Sequence, residues 1–486
     1  VLPNSKHTKI VATIGPASRD PEVLRSMIRA GMNVARINFS HGDHETHSKT
    51  IDTVRKIADE EGAVIAILCD IQGPKIRIGK LEKEPVMLAP GDKITLTLDD
   101  IIGKDGLVAL PHPEFVKDIE VGTTLLLDDG NLQFNVVGTT SKTVECEVVI
   151  GGPLKSRKGV SAPNAKLTLS AITDKDRADI EFALSKECDY IAMSFVRSAD
   201  DIRELRWLMK HLGKEAAIIS KIEMGEALEN IEDIISVSEG IMVARGDLGV
   251  ETPAEEVPFR QKSIIALCNQ AAKPVITATQ MLESMTQNPR PTRAEASDVY
   301  NAIIDGTDAI MLSAESAAGK YPVRAVEVMT NIAQIAEQHM EQTGFAIQHM
   351  PAQPVASEEV EYISDAISRA TFDIAKSIKP DAIVTTSLSG YTTRRVAKER
   401  PQTPILCMTP NPVTQRRMAL IWGVTPLLVS EFSTIDEMLS ITIRAAHDKK
   451  LVHLGDKLVI IAGVPFGVKG QTNLIKIHTV GEAGEI

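Results

Sequence analysis

Residues 216–247 read AAIISKIEMGEALENIEDIISVSEGIMVARGD, and this pattern decides the fold. A short apolar run, Ala216–Ile222, ends beside Lys221 and Glu223; a second, Gly240–Ala244, runs into Arg245-Gly-Asp247. Helix-patterned residues fill the space between them. Apolar run, helical spacer, apolar run is the mark of a βα unit whose strand is buried on both faces. Matching runs stand at Ile10–Ile14, Val34–Phe39, Val64–Cys69, Tyr190–Phe195, Pro274–Ala278 and Ala309–Leu312. The helices between carry their own punctuation. Pro21 opens one and Gly31 follows it; Ser198 and Asp201 form a capping box on a helix that Gly213 ends; Pro291-Thr-Arg-Ala-Glu295 opens a third, closing near Gly306. Eight such units predict a TIM (β/α)8 barrel.

One interval breaks the rhythm. From Ile78 to about Val160 the helical period is gone, replaced by Lys93–Leu98, Thr124–Leu127, Leu132–Val137 and Thr143–Val149. Turn signals at Asp129-Gly130 and Gly151-Gly152-Pro153 separate these runs. The pattern predicts an all-β insert at 79–159, placed after the third strand on the face where loops tolerate insertion and can close as lids. The barrel then comprises 1–78 and 160–343, a linker 344–358 follows, and 359–486 forms a smaller α/β domain. Its strands are expected at Ala382–Thr386, Ile405–Met408, Pro426–Val429, Leu458–Ala462 and Leu474–His478.

The chain has 486 residues, long enough for a sizeable core without a disulfide or metal staple. Its net charge of −12, with no basic block and no bilayer-length apolar run, makes nucleic acid and membrane poor partners. Aromatics at 3% also argue against base-stacking surfaces. The five cysteines (Cys69, Cys146, Cys188, Cys268, Cys407) are scattered without a CxxC pair. With no signal-peptide pattern in Val1–Lys9, they predict a reduced, cytoplasmic chain.

Polar residues gather at the C-terminal ends of the barrel runs, where this fold builds active sites. In order they are Gly15-Pro16, Arg36/Asn38/Ser40/His41, Asp70/Lys75/Arg77, Ser194, Lys221/Glu223, Arg245/Gly246/Asp247, Thr279/Gln280 and Ser313/Glu315. Glu223 and Asp247 end neighbouring strands and suit Mg²⁺, which takes few protein carboxylates and keeps waters or substrate oxygens. Lys221, two residues before Glu223 and so on the same strand face, can neutralise charge in phosphoryl transfer, pair with Glu223, or form a Schiff base. Arg36 and Arg77 offer forks for phosphate oxygens. Gly246-Asp247-Leu248-Gly249 resembles a turn whose N–H groups hold a carboxylate. Neither GxxxxGK[ST] nor GxGxxG occurs, which excludes a P-loop and a Rossmann dinucleotide site.

KIVATIGPAS from Lys9, NVARINFSHG from Asn33, DIQGPKIR from Asp70, SKIE from Ser220 and MVARGDLGVE from Met242 resemble the pyruvate kinase family. So do TATQMLESM from Thr277, NPRPTRAEASDV from Asn288 and MLSAESAAGKYP from Met311. The resemblance spans nearly the whole chain and implies phosphoryl transfer from phosphoenolpyruvate to ADP, giving pyruvate and ATP with a divalent ion, Mg²⁺ or Mn²⁺. It implies that Glu223 and Asp247 hold the metal, Lys221 stabilises the transferring group and Arg36 holds it. Ala244, Arg245, Gly246 and Asp247 would cradle the substrate carboxylate with Thr279, and Thr279 and Ser313 would belong to the proton-delivering network. Pro16, Asn38, His41, Arg77 and Lys158 would lie near ADP, with Asp128 and Asp129 where the lid closes. A homotetramer is implied as well. The alternatives are a Mg²⁺-dependent lyase or aldolase on a related barrel, and a non-enzymatic metabolite sensor.

Two departures from the family pattern stand out. Members that need K⁺ place it with the positions of Asn38, Ser40, Asp70 and Ile71 and a nearby Glu; here Lys75 stands where that Glu would be. A fixed ammonium supplies the charge and repels K⁺, so the chain resembles the K⁺-independent branch. In the C-terminal domain, Thr386, Ser387, Ser389, Gly390 and Thr392 form a strand-to-helix phosphate loop similar to the family's sugar-phosphate effector loop. Leu388 replaces the lysine common in fructose-1,6-bisphosphate responders, so a different phosphorylated effector, or none, is expected.

Overall fold

The strands expected from the apolar runs close into a ring. The structure, a computed structural model, describes residues 6–163, 165, 167–343, 359–466 and 471–482; the expected linker 344–358 lies outside the described residues. Barrel strands one to eight are Lys9–Thr13, Val34–Asn38, Ala66–Asp70, Tyr190–Met193, Ala217–Ile222, Gly240–Ala244, Val275–Ala278 and Ala309–Leu312. All pair in parallel with their sequence neighbours, and the first closes against the eighth. Strands three and four pair as neighbours, Leu68 opposite Tyr190, although the whole insert separates them in sequence.

Both faces of these strands are buried, as continuous apolar runs require. Alternate residues point outward beneath the helices, among them Ile37, Cys69, Ile191 and Ile241. The other set, including Val11, Leu68, Ile219, Met242 and Ile276, fills the barrel, and Ala419 and Leu420 of the C-terminal domain join that interior cluster. The helix signals act as read. Gly31 takes the left-handed φ of +116° after the Pro21–Ala30 helix. The Ser198/Asp201 box caps Ala199–His211, and Thr292/Glu295 caps Arg293–Ile304.

The insert forms a six-stranded sheet and a two-stranded one around its own core of Leu96, Phe115, Leu125, Phe134 and Val144. It is not wholly β. Pro113–Asp118 is a short helix that buries Phe115 and Val116; at six residues it is too short to display a period. The last domain is a five-stranded sheet with a single antiparallel edge, Leu474–Thr479. It docks on the barrel floor, away from the strand ends that carry the polar cluster. There Arg400 pairs with Asp308 at 3.1 Å, Arg416 with Asp189 at 2.7 Å, and Tyr190 Oη donates to the Arg417 carbonyl at 2.7 Å.

Candidate active site

At the C-terminal mouth of the barrel, five adjacent strands contribute to one buried polar network. Asp70, at the end of strand three, accepts Arg36 Nε from strand two at 2.7 Å and Lys221 Nζ from strand five at 3.3 Å. Lys221 also pairs with Glu223 at 2.9 Å and donates to Ser194 Oγ, just beyond strand four, at 2.6 Å. Ser194 in turn donates to the Ile71 carbonyl at 2.8 Å. Arg36 is held from its other side by Thr13 Oγ1 at 2.8 Å. Every side chain in this network is buried.

Burial alone would strip these groups of charge; their mutual contacts decide otherwise. Desolvation pushes the Asp70 carboxyl up, but Lys221 and Arg36 outweigh it and hold its pKa below the ordinary value. Desolvation likewise opposes the Lys221 ammonium, and Asp70 and Glu223 together keep its pKa above the ordinary lysine value. Glu223 differs. Burial, reinforced by Asp247, raises its carboxyl against the pull of Lys221.

Glu223 is fixed by the Phe195 N–H at 2.7 Å. The expectation of two strand-end carboxylates needs correction for Asp247, which is the third residue of the helix Arg245–Glu251. The Gly246–Gly249 stretch read as a turn is part of that helix. Arg245, whose backbone was expected to help cradle the carboxylate, directs its guanidinium to Asp298 at 2.7 Å and the Thr279 carbonyl at 2.6 Å. It buttresses the loop after strand seven, where Thr279 and Gln280 carry φ of +67° and +52°. Such conformations cost about 1–3 kcal/mol each and persist only when surroundings impose them. Thr279 Oγ1 accepts the Gly246 N–H at 2.8 Å, joining two of the positions predicted for the carboxylate, and Ala244 is the last residue of strand six. Ser313 donates its N–H to Glu315 at 2.7 Å; no hydrogen bond links it to Thr279 among the described residues.

The predicted nucleotide residues sit on the rim rather than in the network. Pro16 and His41 are exposed, and Asn38 Oδ1 accepts the Ser40 N–H at 3.0 Å. Arg77 reaches the Arg157 carbonyl at 2.9 Å, and Lys158 pairs with Asp128 of the lid hairpin at 2.5 Å. That hairpin overhangs the mouth: a methyl built on Gly130 would lie 4.0 Å from Val250. Lys75 pairs with Asp247 at 3.9 Å instead of pointing at Asn38 or Ser40. In the C-terminal loop, Thr392 is buried against Thr472 at 2.8 Å and Thr386 lies against Met438. Both hydroxyls are corrected from the open phosphate loop expected; Ser387 and Ser389 remain half-buried, and Gly390 has φ of +76°. A cavity of about 1940 Å³ lies elsewhere, between the barrel floor and the C-terminal domain.

Comparison with known proteins finds a barrel domain and an alpha/beta domain. The model of the pyruvate kinase barrel domain matches residues 5–326, and that of the pyruvate kinase alpha/beta domain matches 365–478. The chain belongs to the pyruvate kinase family. The pyruvate kinase of Geobacillus stearothermophilus is 47% identical over 480 residues, which cover 98% of this chain and 81% of that protein. That of Bacillus licheniformis is 45% identical over 481 residues, and pyruvate kinase 2 of Synechocystis sp. 44% over 482, with 98% of this chain covered in each case. The chain is thus a phosphotransferase of the pyruvate kinase type.

Sequence reasoning placed Ser194 at a strand end and gave it no role. The structure makes it the hydroxyl that orients Lys221. Its signal was present, a lone serine ending a run of buried apolar residues, but its partner was not visible from sequence spacing.

Proposed function

We propose that phosphoenolpyruvate binds over the Arg36–Asp70–Lys221–Glu223 network and passes its phosphoryl group to ADP held at the rim beneath the lid. The observation that carries this reading is the shared carboxylate of Asp70. It holds Arg36 and Lys221 on its two oxygens, so two cations are preorganised at one point of the mouth. Preorganised cations stabilise the spreading charge of a phosphoryl group without reorganising during the reaction.

The acidic donor set suits a divalent ion. Asp247 lies close enough to Glu223 for its charge to add to the burial that raises the Glu223 carboxyl, and among the described residues no third acidic, cysteine or histidine ligand joins them. Two carboxylates with free coordination positions favour Mg²⁺ or Mn²⁺, whose chemistry is to neutralise phosphate and enol oxygens. Lys221 then exchanges Glu223 for a phosphoryl oxygen and Arg36 grips the same group. The N–H groups of Gly246 and Asp247 with Thr279 Oγ1 receive the substrate carboxylate, and Thr279 with Ser313 orders the route by which the enolate gains its proton. Pro16, Asn38, His41, Arg77 and Lys158 meet the nucleotide.

Turnover is expected to need no monovalent cation. Three of the four residues of the K⁺ position have their acceptors engaged: Asp70 by Arg36 and Lys221, the Ile71 carbonyl by Ser194 and Asn38 Oδ1 by the Ser40 N–H. Lys75, on the loop that follows Ile71, brings a positive charge to the mouth beside Asp247. Rates in tetramethylammonium buffer should equal those after addition of KCl; strong activation by KCl would refute this.

Ser387, Ser389 and the Gly390 turn are proposed to hold a phosphate of an effector such as a sugar monophosphate or AMP. Phosphoenolpyruvate saturation curves should shift to lower concentration with one member of a phosphometabolite panel, and superimposable curves throughout would remove the effector. A homotetramer working in the cytoplasm completes the proposal. No helix among the described residues is long and apolar enough to cross a membrane.

A further inference from the structure

The lid's return segment leads directly into the helix Asp174–Ser185, and the first turns of this helix grip two loops of the active-site mouth. Thr173 and Asp176 close a capping box that fixes the helix start. Asp176, fully buried, uses its other oxygen to accept the Gly73 N–H at 3.0 Å, on the loop that leaves the barrel for the lid. Lys175 reaches the other way. Its ammonium donates to the Phe39 carbonyl at 2.7 Å and pairs with Asp179 at 2.6 Å. Asp179 is buried, and its second oxygen meets His44 Nε2 at 2.7 Å.

This geometry anchors the segment Asn38–His44 at both ends through one carboxylate. Phe39 is bonded on both sides of its backbone, its N–H to the Asp70 carbonyl at 2.9 Å and its carbonyl to Lys175. His44, which opens the next helix, is stacked on Phe182 of the gripping helix at 4.4 Å and 5°. Between the anchors, Ser40 and His41 stand exposed. An exposed four-residue bridge holds a defined shape only when its ends are fixed, because each free backbone residue costs about 1–2 kcal/mol to order on binding.

We propose that Lys175 and Asp179 are positioning residues for the nucleotide, setting the rim that carries Asn38 and His41. The proposal rests on the assignment of those two residues to ADP. The pair reaches the phosphoenolpyruvate site only through the backbone bond from Phe39 to Asp70, whereas Arg36 and Lys221 are held by the side chains of Asp70, Thr13 and Ser194.

Lys175 is half-exposed, so Lys175→Met leaves the fold intact. Losing its charge-assisted hydrogen bond should raise the KM for ADP about tenfold, with kcat within about twofold and the KM for phosphoenolpyruvate unchanged. Lys175→Arg should restore most of the affinity, and Asp179→Asn should move the ADP KM in the same direction as Lys175→Met. A merely structural pair would lower the melting temperature without this split. An unmoved ADP KM in Lys175→Met, or equal shifts for both substrates, overturns the proposal. His41→Ala separates it from the assignment beneath it. If His41→Ala leaves the ADP KM unmoved, the assignment of His41 fails; if it raises that KM and Lys175→Met does not, the positioning role alone fails.

Discussion

Lys221→Met should lower kcat by about three orders of magnitude while leaving Mn²⁺ affinity nearly unchanged, the scale expected when a preorganised charge is removed from phosphoryl transfer. The unbranched methionine fills most of the lysine's volume in a site where Lys221 is only 9% exposed. What it removes is the ammonium that joins Asp70, Ser194 and Glu223. Asp70 keeps Arg36, so the variant does not leave that carboxylate without a counter-charge. Glu223 loses its cation, yet burial already pushes its carboxyl up, and a proton can replace the lysine when no metal is bound. Pyruvate release with ADP, a Mn²⁺ titration and a melting curve separate the possibilities. A kcat within about tenfold of wild type would remove Lys221 from the transition state.

Glu223→Gln should weaken Mn²⁺ binding and reduce kcat/KM by about 10³-fold, with no loss of thermal stability. The sign of the stability effect follows from the environment. A carboxyl whose folded pKa is raised is held in its charged form at a cost above its unfolded pKa, and that cost falls as pH drops. Desolvation is the first cause of the rise at Glu223 and Asp247 adds to it, so a neutral isostere removes an unfavourable charge. The glutamine carbonyl still accepts the Phe195 N–H that the carboxylate takes at 2.7 Å, while its NH2 cannot accept from Lys221, which keeps Asp70 and Ser194. Unchanged metal affinity in a folded variant would place the ion elsewhere. A fall in melting temperature of several degrees would show instead that the ion pair with Lys221 dominates the burial cost.

The parts of this molecule differ in how plainly the sequence announces them. Tyr190–Met193 and Ala217–Ile222 were legible because a strand buried on two faces reads as a nearly continuous apolar run, broken in the second only by Ser220 and Lys221. Lys221 and Glu223 were expected on one face from their spacing of two, and they meet at 2.9 Å. The helix over Pro113–Asp118 was missed because six residues carry too few repeats of any period. Asp247 was misplaced from a strand end to a helix because Gly246 and Gly249 read as turn residues. Arg245 was read only for its backbone, as part of the carboxylate cradle that the resemblance implies, and its side chain was given no partner. Its orientation depends on Asp298, which no local pattern relates to it.

By itself the sequence determined the strand and helix succession, the inserted β domain and the chemical types that end each strand. Those properties follow from local periodicity, turn chemistry and the alternation of side chains. Ring closure was decided by tertiary structure. Strands two and three bring Arg36 to Asp70, and only when strand four pairs with strand three across the inserted domain do Ser194 and Lys221 reach that carboxylate's side of the mouth. The charges of that network were decided there too. An isolated lysine or aspartate would lose its charge on burial, and each keeps it because strands distant in sequence bring its counter-ion.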